Sequence, residues 1–452
     1  MADANDPGLL TPAETSLLTD RYEITMAASY HRLGRNDPAV FELFVRKLPP
    51  YRDWLVVCGL GPTLRIISEM GFGPAELEYL STLDCRDDFL SYLEGFRFSG
   101  DMDAMPEGTI AFADEPLVRV TAPLIEAQLL ETLLLNQINF QTMIATKAAR
   151  VVLAADGKGE SVIDFSPRRD HGVDAAMKVA RASAVAGFGA TSNMAAAMRY
   201  GLLPVGTMAH SYVLSFESEQ EAFEAFMRDN PGNALLLVDT YDTIEGVRRA
   251  IEASRRTEIP LTGIRIDSGD LAGLARKSRR LLDEAGFAEA VIVASGDLDE
   301  HRIAELCRAG TPIDLWGVGT ELGTSRDSPV VNGVYKIVSE LRGGVWRGVA
   351  KLTEGKATLP GAKQVFRRIE GGAMVEDVVG ATEEELDGEP LLVPAMRRGE
   401  IVHAETLDQM RERTKRSLDS LPNALRSPGK RTRYPVRHSE ALTEAARSMA
   451  SH

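Results

Sequence analysis

The chain has 452 residues, and its 51 Lys and Arg against 66 Asp and Glu give a formal net charge of −15. That length suits two or three domains, or one large α/β barrel with additions, and the acidic balance argues against a general nucleic-acid binder, which needs a basic face. With 44% hydrophobic and 26% charged residues, the composition is globular rather than disordered. No apolar run approaches the about 18 residues that cross a bilayer, and the opening MADANDPGLLTPAETS lacks the basic head and apolar stretch of a secretion signal. Cys58, Cys85 and Cys307 are too few and too scattered for a disulfide framework. A cytoplasmic enzyme, without membrane or nucleic-acid partners, is expected.

Residues 1–16 read as a loose polar arm. From 17 to about 120, helix-like stretches (ITMAASYHRLG, GPTLRIISEMG, PAELEYLSTL) alternate with short apolar runs (AVFELFV, DWLVVCG, LVRVTAP), an α+β pattern. Residues 123–155 carry apolar side chains at helical spacing and predict one or two long helices. From about 160 to 340 the rhythm turns regular. SVIDFSP, LPVGTMAHS, ALLLVDTYD, TGIRIDSGD, AVIVASGDLD, DLWGVGTELG and VVNGVYKIVS read as strands, with amphipathic helical stretches between them. This is the signature of βαβ units and a parallel sheet. The polar strand ends recur evenly: 239 − 210 = 29, 267 − 239 = 28 and 295 − 267 = 28. So even a step suggests a closed βα barrel, though a doubly wound sheet would show it too. After 341 the rhythm is lost. Residues 411–437 hold nine Lys or Arg against Glu412 and Asp419 and read as a solvated helix and tail.

The chemistry gathers where the strands end. Arg168, His210, Asp239, Arg265, Asp267, Ser295, Gly317, Gly319 and Thr320 all follow or close apolar runs. In a parallel sheet those ends share one edge, so groups some 150 positions apart can meet. Asp is also a good helix N-cap, and Asp270 in DSGDLAGLA reads as one. Gly317 and Gly319 free backbone amides for an anion. Arg46, Arg168, Lys336, Lys351 and Lys356 lie beside strand ends or glycine turns, which suits a phosphate-rich substrate, and neighbouring carboxylates suit the Mg²⁺ such substrates carry. No two-Cys, two-His or HExxH spacing supports a tightly held metal, and no GxxxxGK[ST] or helix-opening GxGxxG is present.

Taken in order, LLTDRYEITMA (17–27), FELFVRKLP (41–49), DFSPRRDHGVDAA (164–176), GFGATSNMAAA (187–197), GTMAHSYV (206–213), LLVDTYDT (236–243), GIRIDSGDL (263–271), GVGTELGTS (317–325), VYKIV (334–338) and KLTEGKATLPGAKQVFR (351–367) resemble nicotinate phosphoribosyltransferases, of the type II phosphoribosyltransferases. The resemblance implies an irregular α/β barrel over 127–340. It also implies an α+β domain formed by residues 1–126, onto which 341–452 packs back. The implied reaction joins nicotinate to 5-phosphoribosyl 1-diphosphate, coupled to ATP hydrolysis through a phosphohistidine, in NAD salvage. His210 would carry the phosphoryl group and Asp239 would orient it. Tyr22 would stack on the pyridine ring in a neighbouring subunit's site, in a homodimer with shared active sites, and Phe165 would be the opposing ring. Arg265 and Thr207 would hold the nicotinate carboxylate. Arg168, Gly317, Gly319 and Thr320 would receive the ribose 5-phosphate. Arg46, Lys336, Lys351 and Lys356 would hold diphosphate or ATP phosphates, and Asp267 would face ribose hydroxyls or Mg²⁺.

Two positions depart from the pattern, Ser166–Pro167 and Ala190, where the family often has Gly. Ser192 stands near where the nicotinamide-using relative carries an acid. A neutral donor there favours a carboxylate substrate. A quinolinate- or nicotinamide-type phosphoribosyltransferase and a non-catalytic phosphoribosyl diphosphate-binding regulator remain the alternatives.

Overall fold

The computed structural model describes residues 14–351, 353, 358–427 and 432–450. The chain divides into two compact units. Among the described residues the second holds Lys147–Pro329 with Arg426 and Ser427, and the first holds the rest.

The second unit is built on a seven-stranded, wholly parallel sheet, ordered Leu203–Pro204, Ala190–Thr191, Val162–Asp164, Leu315–Val318, Val291–Ala294, Gly263–Ile266 and Leu235–Leu237. Strands such as VIVA and LWGV are apolar throughout because helices cover such a sheet. Successive strands are neighbours, and the last in sequence pairs with the first. The order is therefore that of a barrel opened at one place, between Pro204 and Leu235. The segment that spans this opening carries Thr207 and His210. Helices Thr243–Thr257, Leu271–Glu284 and Glu300–Arg308 each start one residue after an aspartate. Asp242, Asp270 and Asp299 accept from the backbone amides of Glu245, Gly273 and Arg302. Asp270 is thus a cap, as its sequence context suggests.

Two expectations change. The seventh strand-like run becomes Gly333–Arg342, which pairs antiparallel with Pro38–Val45 in the first unit rather than joining the parallel sheet. The second unit also begins at 147 and ends at 329, not at 127 and 340. Helix Glu131–Ala154 runs across the first boundary without a break, so no turn chemistry marks it.

The first unit contains a seven-stranded antiparallel sheet, ordered Val345–Gly348, Gly333–Arg342, Pro38–Val45, Pro116–Pro123, Asp101–Ala104, Val393–Arg397 and Glu400–Ile401. Late and early segments thus share one sheet. A second, four-stranded sheet contains Lys363–Glu370 and Ala373–Ala381. Its buried end is charged. Arg367 forks onto Asp377 at 3.0 and 2.5 Å, and the Tyr434 hydroxyl donates to Asp377 Oδ1 at 3.0 Å. Tyr434 also stacks on Phe112 with ring centres 3.8 Å apart. Glu115, fully buried beside them, has its carboxyl pushed well above the usual range by burial and by the Asp377 charge. Both causes favour its neutral form in the folded chain.

A carboxyl kept neutral only when folded lets the unfolded chain gain by ionising as pH rises through the ordinary carboxylate range. Its stabilising effect is complete at acid pH and falls off above that range. Glu115→Gln, which keeps the shape and a donor, is therefore expected to gain on the parent as pH rises. Thermal unfolding at pH 4.5 and pH 8 checks this, and an equal difference at both values contradicts it.

Candidate active site

The carboxyl edge of the parallel sheet gathers most of the expected groups. Asp239, two residues past Leu235–Leu237, reaches sideways to the next strand's exit. Its Oδ2 accepts from the Asp267 amide and the Ser268 hydroxyl, both at 2.8 Å. Asp267 in turn accepts from the Ser295 hydroxyl at the end of the following strand. Three successive strand ends are therefore stitched together. Gly296 makes this possible: its φ is +87°, and a Cβ there would lie 1.9 Å from the Asp267 carbonyl oxygen.

Arg265, inside strand Gly263–Ile266, aims its guanidinium over the Phe165 ring at 5.9 Å. Burial pulls its pKa down, while Asp267 and Asp239 push it back up. Phe165 is fixed from below, because its amide donates to the Val318 carbonyl at 2.8 Å. A Cβ on Gly317 would fall 2.4 Å from the ring, so only glycine lets the aromatic lie against that strand. Behind Phe165, the buried Asp164 accepts from the Ser166 amide and hydroxyl at 2.9 and 2.6 Å and from the Thr191 hydroxyl at 2.7 Å. Ser166 thus supplies its side chain to this lock at a position where the family often has Gly. Asp170 stands next to Ser166, and burial together with the Asp164 charge pushes its carboxyl up to about 6.

Among the described residues of this unit, the buried polar atoms without a hydrogen-bond partner include Asp239 Oδ1, Arg265 Nε and Thr207 Oγ1. Buried polar atoms are ordinarily satisfied, so an acid, a base and a hydroxyl left open at one sheet edge point to a polar ligand. Ser192 donates its amide to the Asp164 carbonyl at 2.8 Å. Arg168 is exposed, and Gly319 precedes the short helix Thr320–Gly323.

His210 departs from its expected setting in two ways. It opens helix His210–Leu214, beyond strand Leu203–Pro204, rather than closing a strand. Its Nδ1 pairs with the Thr240 hydroxyl at 3.1 Å. Asp239, expected to orient it, gives its Oδ2 to Asp267 and Ser268, and its Oδ1 has no protein partner.

The remaining expected residues belong to the first unit. Tyr22, on helix Arg21–Arg32, is 46% exposed, and its hydroxyl faces the Glu131 carboxylate, which together with burial raises its pKa. Lys336 donates to Glu131 at 3.3 Å and to the Tyr335 carbonyl at 2.7 Å. Arg46 lies 5.4 Å over Phe44, and Lys351 is exposed. Lys356 lies outside the described residues. No group of three His, Cys, Asp or Glu able to hold a metal exists among those described, and no helix there is long and apolar enough to cross a membrane.

The family model described as nicotinate phosphoribosyltransferase N-terminal domain matches residues 17–139, and that of the nicotinate phosphoribosyltransferase family matches 161–342. The chain is 47% identical over 417 residues to nicotinate phosphoribosyltransferase pncB2 of Mycobacterium tuberculosis, covering 91% of this chain and 89% of that protein. It is 44% identical over 365 residues to nicotinate phosphoribosyltransferase of Bacillus subtilis, covering 78% and 73%. This chain belongs to the nicotinate phosphoribosyltransferase family. The crystal structure of human nicotinic acid phosphoribosyltransferase superposes with a TM-score of 0.84 at 26% identity, over 95% of this chain and 99% of that one.

Among the groups that line this family member's sheet edge, sequence reasoning missed Thr240 and the lock around Asp164. Thr240 sits beside Asp239 in VDTYD, where the acid draws attention away from the hydroxyl. Gly317→Ala is expected to fold yet displace the Phe165 ring from the Arg265 guanidinium. Calorimetry should show at least about tenfold weaker binding of nicotinate, on the scale that a misplaced positioning group costs. Unchanged affinity contradicts the packing argument.

Proposed function

We propose that this chain joins nicotinate to 5-phosphoribosyl 1-diphosphate, giving nicotinate mononucleotide and diphosphate, with ATP hydrolysed through a phosphohistidine at position 210. The observation that carries the reading is the Arg265–Phe165 pair beside Gly317, a cation and an aromatic face set together at the sheet edge. This pairing suits a flat heteroaromatic acid: the guanidinium takes the carboxylate and the ring face takes the pyridine. Thr207, with its open hydroxyl, completes the carboxylate's partners, and the neutral Ser192 leaves the acid unrepelled. That the relatives in Mycobacterium tuberculosis and Bacillus subtilis are named nicotinate phosphoribosyltransferase supports the transfer to nicotinate.

The chemistry follows. The pyridine nitrogen attacks C1 as the C1–diphosphate bond breaks, through a ribosyl centre with cationic character. Catalysis therefore lies in holding the nitrogen in line and in stabilising the departing diphosphate. Arg168 and the amides of Gly317, Gly319 and Thr320 would hold the 5-phosphate at one end of the sugar. Arg46, Lys336, Lys351 and Lys356 would take diphosphate or ATP phosphates, with Lys336 first released from Glu131. The open Oδ1 of Asp239 beside Asp267 fits Mg²⁺, which takes one or two carboxylates and leaves its other positions to substrate phosphates. When bound, the cation would neutralise charge on the diphosphate. Tyr22 is assigned to the second face of the pyridine in a partner subunit's site, within a homodimer.

In the tautomer whose Nδ1–H donates to Thr240 Oγ1, His210 presents a lone pair at Nε2. Attack on the γ-phosphorus of ATP forms the P–N bond and breaks the bond to the β-phosphate oxygen, releasing ADP. Water later cleaves P–N and returns inorganic phosphate. Thr240 thereby takes the tautomer-fixing role first given to Asp239.

The test is product formation from nicotinate with and without ATP, together with recovery of acid-labile phosphate from enzyme mixed with γ-labelled ATP. Label on the parent, none on His210→Ala, and loss of ATP stimulation in that variant are expected. Full ATP coupling in His210→Ala overturns the phosphohistidine, and no product from nicotinate overturns the whole reading.

A further inference from the structure

The glycine turn after strand Leu315–Val318 is wedged between its neighbours in the sheet. On one side a Cβ at Gly323 would meet Asp170 Oδ1 at 1.8 Å and Ser166 Cβ at 2.8 Å, so the turn lies hard against the 165–170 loop. On the other side stands the exit loop of strand Val291–Ala294, which leads from Ser295 and Gly296 to the buried Glu300 at the start of its helix.

Lys147 joins these two loops from within. Its side chain is 1% exposed, and its ammonium pairs with Glu300 Oε2 at 2.5 Å and with Asp327 Oδ1 at 3.0 Å. The other Glu300 oxygen takes Arg150 Nε at 2.9 Å. Asp327 sits in a tight turn at the foot of the glycine loop, where Ser328 N donates to the Ser325 carbonyl at 2.7 Å and the Ser325 hydroxyl donates to the Ser328 carbonyl at 2.9 Å. A cation this deeply buried survives only where its anions are fixed. Lys147 thus bridges the 295–300 and 319–328 segments. Its counterions include neither Asp239 nor Asp267, so it has no direct part in the chemistry of the sheet edge.

We propose that Lys147, through Asp327, is the positioning residue of the 317–323 turn, holding its amides in register for the phosphate-bearing substrate. The inference rests on the reading that this turn receives the ribose 5-phosphate. A pre-set turn binds without the cost of ordering it, and untethering it adds that cost to one substrate only.

The experiment compares the full-length parent with Asp327→Ala and Lys147→Met. Asp327→Ala removes the Lys147–Asp327 pair together with any other contact of that carboxylate, and leaves the Lys147–Glu300 pair. Expected is about a tenfold rise in KM for 5-phosphoribosyl 1-diphosphate, with KM for nicotinate within twofold, and faster amide hydrogen exchange confined to 317–325. A merely structural role would lower the thermal midpoint and kcat without singling out one substrate. Should Lys147→Met fail to fold, Asp327→Ala carries the test. Unchanged KM and unchanged exchange in Asp327→Ala overturn the proposal. If the parent itself makes no product from nicotinate, the functional reading fails instead, and exchange in 317–325 still decides whether the tether holds the turn.

Discussion

Parallel pairing of short strands is the constraint on which everything else in the second unit depends. It forces the exits of consecutive strands onto one edge, whatever their separation in sequence. Hydrogen bonds then run along that edge, from Asp239 to the Asp267 amide and from Ser295 to Asp267. Each strand end is held by the next, and the helix-capping aspartates anchor the far side of each loop. The ring stays open between Pro204 and Leu235, and the open place is where Thr207 and His210 enter, on a segment not bound to strand geometry.

The edge also shows how an acidic chain can build a site for anions. Arg265 is largely buried, and its charge is supported by Asp239 and Asp267 rather than by solvent. Its remaining valence, the Nε without a protein partner, is available to a ligand. Glycines at 317 and 296 do the complementary work by letting a ring and a carbonyl approach where a Cβ could not fit. Net charge governs what the surface attracts at long range, while these short-range partners govern what the pocket holds.

Much of this was legible in the sequence. The apolar runs ending in Asp, Arg or Gly announced the parallel sheet, and the even 28–29 residue step announced successive neighbours. What escaped was set by long-range pairing. VVNGVYKIVS looks like its predecessors, yet it is drawn into an antiparallel ladder with Pro38–Val45, some 290 residues earlier by numbering. The family resemblance gives Asp239 the task of orienting His210. In the fold, its Oδ2 accepts from Asp267 and Ser268 while its Oδ1 has no protein partner, and the Thr240 hydroxyl reaches the imidazole. Lys147 gave no signal at all, since a lysine within a helical stretch reads as surface until Glu300 and Asp327 are seen to enclose it.

The central claim is that the 265 guanidinium, the 165 ring and the 317–320 amides form one receptor for a pyridine nucleotide. A crystal structure of the protein soaked with nicotinate mononucleotide tests it most directly. The account predicts the pyridine carboxylate on Arg265, the ring against Phe165, and the 5-phosphate on the turn that begins at Gly317. A nucleotide bound elsewhere, or bound at this edge with its phosphate turned toward Arg265, would contradict it.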